Sequence, residues 1–246
     1  MTPGSGLATP SPAGRQRRSL PGRIWLWLLR LGAGFFGLSV ILTVVYATLP
    51  PPITILMIGG LLEGRGIHKD WVPIDRISPH LIRSVIAAED AHFCEHHGFD
   101  WASIQAAWDK IEAGSSRLRG GSTISNQTAK NVFLWPGRHW VRKGLEAYFT
   151  LLIELVWGKQ RIMEVYLNVI EFGPGTYGAE AASQRFFKKS AGELTRYQAA
   201  LLASVLPNPD EWSAVNPGPY VKKRANTIMT RALDAPDAGA AVCPHS

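Results

Sequence analysis

No aspartate or glutamate precedes Glu63, and no charge of either sign falls within residues 31–49. The second gap excludes an ordinary solvated surface and is long enough to cross the apolar core of a bilayer as a helix. Charged residues make up only 18% of the chain against 46% hydrophobic, which excludes a chain kept unfolded by its charge. There are two cysteines, Cys94 and Cys243, too few for a disulfide-dense scaffold or a four-cysteine zinc site. Nothing in their spacing demands a bridge, and both read as free thiols. Internal repeats are absent, and period-two alternation is almost absent, so a solenoid and a mainly β fold are both excluded.

What remains is basic and helical. The 246 residues carry a formal net charge of +7, which favours an anionic partner: membrane headgroups, phosphates or nucleic acid. The positive excess is concentrated at the start, in Arg15, Arg17, Arg18, Arg23 and Arg30. Arginines before an apolar span, with Trp25 and Trp27 at its near end, predict an anchor whose N-terminus is cytoplasmic and whose remainder lies across the membrane. A cleaved signal peptide is the rival. The apolar run is longer than a typical signal core, and Val45-Tyr46-Ala47 is a poor cleavage site, so the anchor reading is preferred. The expected organisation is a basic disordered cytoplasmic tail (1–23), a transmembrane anchor (24–49), a stalk (50–70) with an apolar patch at 53–62, a folded domain (71–232) and a disordered tail (233–246).

Helical periodicity places elements near 79–97, 100–113, from Thr123, 142–157 and 160–169. Ser190-Ala-Gly-Glu193 is a capping box expected to open another, stopped by Pro207. The first helix starts on Ser78-Pro79 and shows an apolar stripe of Ile82, Val85, Ile86 and Phe93. Glu89 falls inside that stripe. A carboxylate on an inward face needs partners or takes a raised pKa, and catalytic bases are made in this way; a structural acid held by an amide or arginine is the plainer alternative. Gly120-Gly121-Ser122-Thr123 is a glycine turn into a helix start, a place where amides and hydroxyls suit an anion, with Lys130 and Arg138 following; a plain N-cap with surface cations is the competing reading. It lacks the Walker spacing. Glu146 sits at the edge of the stripe Leu145, Phe149, Leu152 and Val156, either as a second cleft acid or as an ordinary partner of Arg142. Asn168 and the glycines that follow suggest a helix exit above a constrained loop, a supporting role. His92 and His96 are four apart, as in helical zinc pairs, but no further ligand cluster follows, so no metal site is assigned. The basic residues are scattered and no recognition motif is present, so nucleic acid is not an expected partner.

Five blocks now stand in order: Glu-Asp-x-x-Phe-x-x-His-x-Gly at 89–98, Gly-Gly-Ser-Thr-Ile at 120–124 with Gln127 and Lys130-Asn131, Arg-Lys-x-x-Glu at 142–146, Tyr-Leu-Asn at 166–168 with Phe172-Gly173, and Ala-Ala-Leu-Leu-Ala at 199–203 leading to Pro207-Asn-Pro. Together they resemble the family 51 glycosyltransferases, specifically the monofunctional biosynthetic peptidoglycan transglycosylases, over roughly residues 71–212. The resemblance implies a mainly α, lysozyme-like two-lobed domain with a hydrophobic edge touching the membrane, behind a single N-terminal transmembrane helix, in a bacterial inner membrane with the catalytic domain periplasmic. It implies polymerisation of lipid II into glycan strands, inverting at the donor MurNAc carbon with release of undecaprenyl diphosphate. Glu89 matches the family's base and Glu146 its second glutamate. Lys130 and Arg138 match the diphosphate cations, and Asp90, Phe93, His96, Ser122, Thr123 and Gln127 match further cleft positions. No cofactor is required, although a divalent cation could assist at the diphosphate. The implied partners are lipid II, lipid-linked glycan, membrane lipids and proteins of a cell-wall synthesis complex. The alternative is a muramidase or lytic transglycosylase, which cuts glycan and needs no diphosphate clamp. One departure is Asn126, where the family usually has glutamine; its shorter amide is expected to lose a substrate contact.

Overall fold

The computed structural model describes residues 20–112, 114, 121–137, 139–234 and 242–243; Arg138, and Arg117 and Arg119 of the preceding loop, lie outside them. The chain divides into two units, residues 1–42 and 43–246. Helix α1 is Leu20–Tyr46. Its apolar stretch Arg23–Tyr46 has 24 residues, about 36 Å at 1.5 Å per residue, enough for a hydrocarbon core of about 30 Å.

The unit from Thr43 onward is mostly helical: α2 (Ile55–Leu62), α3 (Pro79–Glu89), α4 (Trp101–Glu112), α5 (Ile124–Phe133), α6 (Trp140–Val156), α7 (Lys159–Val169), α8 (Ala179–Phe187), α9 (Arg196–Val205) and α10 (Pro219–Arg231). It begins with the last turn of α1, where carbonyls near the helix end take side-chain donors from α7 and its approach. Trp157 Nε1 donates to Thr43 O at 2.7 Å, and Arg161 donates to Tyr46 O at 2.9 Å and Leu49 O at 2.7 Å. The residues expected to be a stalk contain α2, capped by Thr54, with Met57 wholly buried and Ile55, Ile58, Leu61 and Leu62 exposed. They also supply β1 (His68–Lys69), which pairs parallel to β3 (Thr176–Tyr177). β2 (Glu171–Gly173) runs antiparallel on the other side of β3, giving the order β1-β3-β2. Strands of two or three residues are too short to show alternation, so periodicity could not reveal them.

Two helix groups position the site. α3 packs on α9 and α10; α5 packs on α6 and α7. The stripe residues Ile82, Val85, Ile86 and Phe93 are all buried, as the spacing predicts. The helix from Pro79 ends at Glu89 rather than near Gly98, because Asp90 leaves the helix to make contacts described below. The Ser190–Glu193 capping box forms as read, but it opens only a 3-10 turn, Ala191–Glu193; α9 starts afresh on its own box, Thr195 with Gln198.

The two cysteines are not free. Cys94 and Cys243 form a disulfide across a separation of 149 residues, with Cα atoms 5.3 Å apart. Residues so distant in sequence carry no spacing signal. The bridge fixes part of the expected disordered tail: Val242 and Cys243 are buried.

Candidate active site

A cleft of about 1040 Å³ opens between the two helix groups, lined among others by Glu89, Ser122, Gln127, Lys143, Trp212 and Arg224. Glu89 is the last residue of α3, and its side chain is only 13% exposed. Gln127 Nε2 donates to Glu89 Oε2 at 2.9 Å, and Arg224 on α10 approaches Oε1 at 3.6 Å. Burial pushes the Glu89 carboxyl above the usual glutamate value; Gln127, Arg224 and Lys130 pull against that without cancelling it. The end of a helix, where the backbone dipole is negative, acts in the same direction as burial. The carboxylate is therefore nearly dry, near the cleft and easier to protonate than a surface acid.

Cations gather beside Glu89: Lys143 lines the cleft, and Lys130 and Arg142 lie within electrostatic reach of it. Gln127 and Lys130 lie three apart on α5 and so share a face. Lys130 has no hydrogen-bond or ion-pair partner among the described residues. It feels both Glu146 and Glu89, while burial first, and then Arg142 and Lys143, push its pKa down. On α6, Arg142 donates to Glu146 Oε2 at 2.9 Å and Lys143 donates to Oε1. Glu146 thus has the ordinary i,i+4 partner, yet it is buried, which makes it the hub that collects cations rather than a surface acid. Lys130, Arg142 and Lys143 against Glu146 leave three minus one, a net charge of +2, which matches a dianionic diphosphate.

Several expected cleft residues turn inward instead. Phe93 is fully buried and Asp90 is 6% exposed. Asp90 Oδ2 accepts the Ile124 amide at 2.9 Å, and its Oδ1 lies 2.9 Å from His96 Nε2; the Gly98 amide donates to His96 Nδ1. Asp90 therefore ties the end of α3 to the start of α5. Thr123 caps α5 and donates to Gly98 O at 2.7 Å. Asn126 completes the capping box and donates to Gly98 O and Thr150 Oγ1, so its buried amide fastens the loop. Gly98 has φ +91, and a Cβ there would meet Thr150 Cγ2 at 2.8 Å, so a larger residue would push α6 away. Lys159, over the Phe93 ring at 4.6 Å, and Ser125 both bond to Glu154 and secure the same region. These residues position Glu89 and Lys130 of α5 relative to each other. Ser122, by contrast, is exposed at the cleft wall. His92 is taken up by Asp100, whose carboxyl burial would raise but which Ser103 and His92 bring down to about 2.

Replacing Asp90 with alanine orphans the buried Ile124 amide and releases His96. We expect a loss of about 2–3 kcal/mol of stability with an unchanged urea m-value. An unchanged urea midpoint would show that Asp90 fastens nothing.

Sequence reasoning missed Arg224 and Tyr166. Arg224 lies on α10, where proline at the helix start and Val221, Ala225 and Ile228 on one face were available signals. Tyr166 is buried against the far side of Gln127.

A family model described as Transglycosylase matches residues 58–233. The chain is 55% identical over 212 residues to the biosynthetic peptidoglycan transglycosylase of Caulobacter vibrioides, covering 86% of this chain and 90% of that protein. It is 54% identical over 212 residues to the protein of the same name from Rhodospirillum centenum, covering 86% and 91%. It is 51% identical over 217 residues to that of Pseudomonas aeruginosa, again covering 86% and 91%.

Proposed function

The chain belongs to the transglycosylase family and is a peptidoglycan glycosyltransferase, and from that premise we propose that Glu89 is its general base and that Lys130, Arg142 and Lys143 receive a lipid diphosphate leaving group. The donor is glycan carried on undecaprenyl diphosphate and the acceptor is lipid II. Glu89 takes the proton from the acceptor 4-hydroxyl. The freed oxygen bonds to the anomeric carbon of the donor MurNAc as the bond from that carbon to the diphosphate oxygen breaks, with inversion. Negative charge grows on the departing diphosphate, where a fixed net charge of +2 is worth most because the site is partly desolvated. Arg138, outside the described residues, would add to that field, as would a divalent ion at the diphosphate.

The observation that carries this reading is a nearly dry carboxylate that shares its cleft with Lys143, with Lys130 within electrostatic reach of both and Arg142 joined to Lys143 through Glu146. A glycan-cutting enzyme has use for the carboxylate but not for the cations. The membrane helix and the arginines before it support a single-pass protein with the catalytic unit on the periplasmic side. The Cys94–Cys243 disulfide supports the same placement, since such bonds persist in oxidising compartments.

Incubating the detergent-solubilised full chain with lipid II should give long glycan and released undecaprenyl diphosphate. Untouched lipid II, with shortening of preformed strands instead, would overturn the reading.

A further inference from the structure

We infer that Tyr166 is a positioning residue for the base: its buried hydroxyl fixes the orientation of the Gln127 amide so that the NH₂ end, not the oxygen, meets Glu89. This rests on the reading of Glu89 as the general base.

Tyr166 stands on α7 and is fully buried. Its hydroxyl donates to Gln127 Oε1 at 3.2 Å, and Gln127 Nε2 donates to Glu89 Oε2 at 2.9 Å. A primary amide has two nearly isosteric ends, so shape alone does not choose between them. Turned round, Gln127 would set its carbonyl oxygen against the Glu89 carboxylate, acceptor facing acceptor. It would also leave the phenol hydrogen of Tyr166 without an acceptor among the described residues, and a buried orphan donor is costly. Tyr166 therefore couples the two ends. While the phenol donates, the amide must donate onward, and the onward bond favours the ionised form of Glu89.

The surroundings make this coupling matter. The groups facing Glu89 are Arg224 from α10, Gln127 and Lys130 from α5, Tyr166 from α7 behind Gln127, and Asp90 beside it in the chain. Arg224 and Lys130 favour the ionised carboxylate; burial and Asp90 disfavour it. Among the described residues, the hydrogen bond from Gln127 is the one short neutral contact on the ionised side, and Tyr166 keeps it there. The phenol itself stays protonated across the working range, because burial first, and then Glu89 and Asp90, push its pKa well up. It is a dependable donor and not a competing base.

The test is the pH dependence of polymerisation by the full chain on lipid II. Tyr166→Phe removes only the donor. The acid limb of the kcat profile should move up by about one pH unit, with KM for lipid II within about twofold of the parent. In a Gln127→Leu background the same substitution should leave the acid limb where that background puts it. A limb unmoved by Tyr166→Phe, or moved equally in both backgrounds, would overturn the inference, because a merely structural tyrosine lowers stability or kcat without shifting the limb. If the Phe variant fails to fold, fluorotyrosine placed at 166 decides. A stronger phenol donor should move the limb down, and an unmoved limb refutes the coupling. Glu89→Gln measured alongside separates the two claims. If that variant is inactive while the limb ignores position 166, only the positioning role is lost; if it stays active, the reading of the base itself is lost.

Discussion

Glu89→Gln should lower the rate of glycan polymerisation by about 10²–10⁴-fold while leaving the thermal unfolding curve and lipid II affinity close to those of the parent. The substitution keeps the shape of the side chain, and its amide oxygen can still accept the 2.9 Å hydrogen bond from Gln127 Nε2. What it removes is the ability to take a proton. The wild-type profile carries the same signature. Only ionised Glu89 can act as a base, so activity rises with pH as the carboxyl loses its proton. Burial places that midpoint above the ordinary glutamate range. The Gln variant should lack this limb altogether. Retained polymerisation with a parental pH profile would assign the base elsewhere.

Cutting the Cys94–Cys243 bond should produce the largest loss of stability of any change outside the cleft. In the chain-entropy treatment, closing a loop with a separation of 149 residues is worth about 5 kcal/mol, and removing native disulfides commonly costs about 2–5 kcal/mol. For a chain of this size that corresponds to a fall in Tm of roughly 5–20 °C. Cys243→Ser and the parent in reductant should fall by the same amount, and reductant should do nothing further to the serine variant. Cys94 lies between Asp90 and Gly98, the segment that fastens α3 to α5, so the loss should also show as faster amide exchange across residues 91–98. A serine variant that melts with the parent would mean that the bond restrains nothing in the native protein.

How much of this was legible in the sequence depends on the range of the interaction. The α3 stripe could be read because three- and four-residue spacing is a local property, and Glu89 stood out as the one acid within it. The Arg142–Glu146 pair, the Thr123 cap and the Ser190 box are local in the same sense, and each forms. What escaped was whatever depends on distant residues meeting. The disulfide joins residues 149 apart in the chain. Arg224 reaches Glu89 from a helix that follows it by more than a hundred residues. Tyr166 touches Gln127 only because α5 packs on α7. The end of α3 was misplaced for the same reason. Nothing near Asp90 in sequence says that its carboxylate will prefer the Ile124 amide to another turn of helix. With Asp90, Phe93, Thr123 and Asn126 turned inward, these motifs mark the site by building its walls.

The central claim is that one cleft holds a base and a diphosphate clamp at opposite ends of the same reaction. The most direct measurement is a structure of the Glu89→Gln variant with lipid II bound. The account predicts the acceptor 4-hydroxyl about 3 Å from the residue 89 side chain, and a donor-site diphosphate against Lys130, Arg142 and Lys143. A diphosphate seated away from those cations, or an acceptor hydroxyl out of reach of position 89, would contradict it.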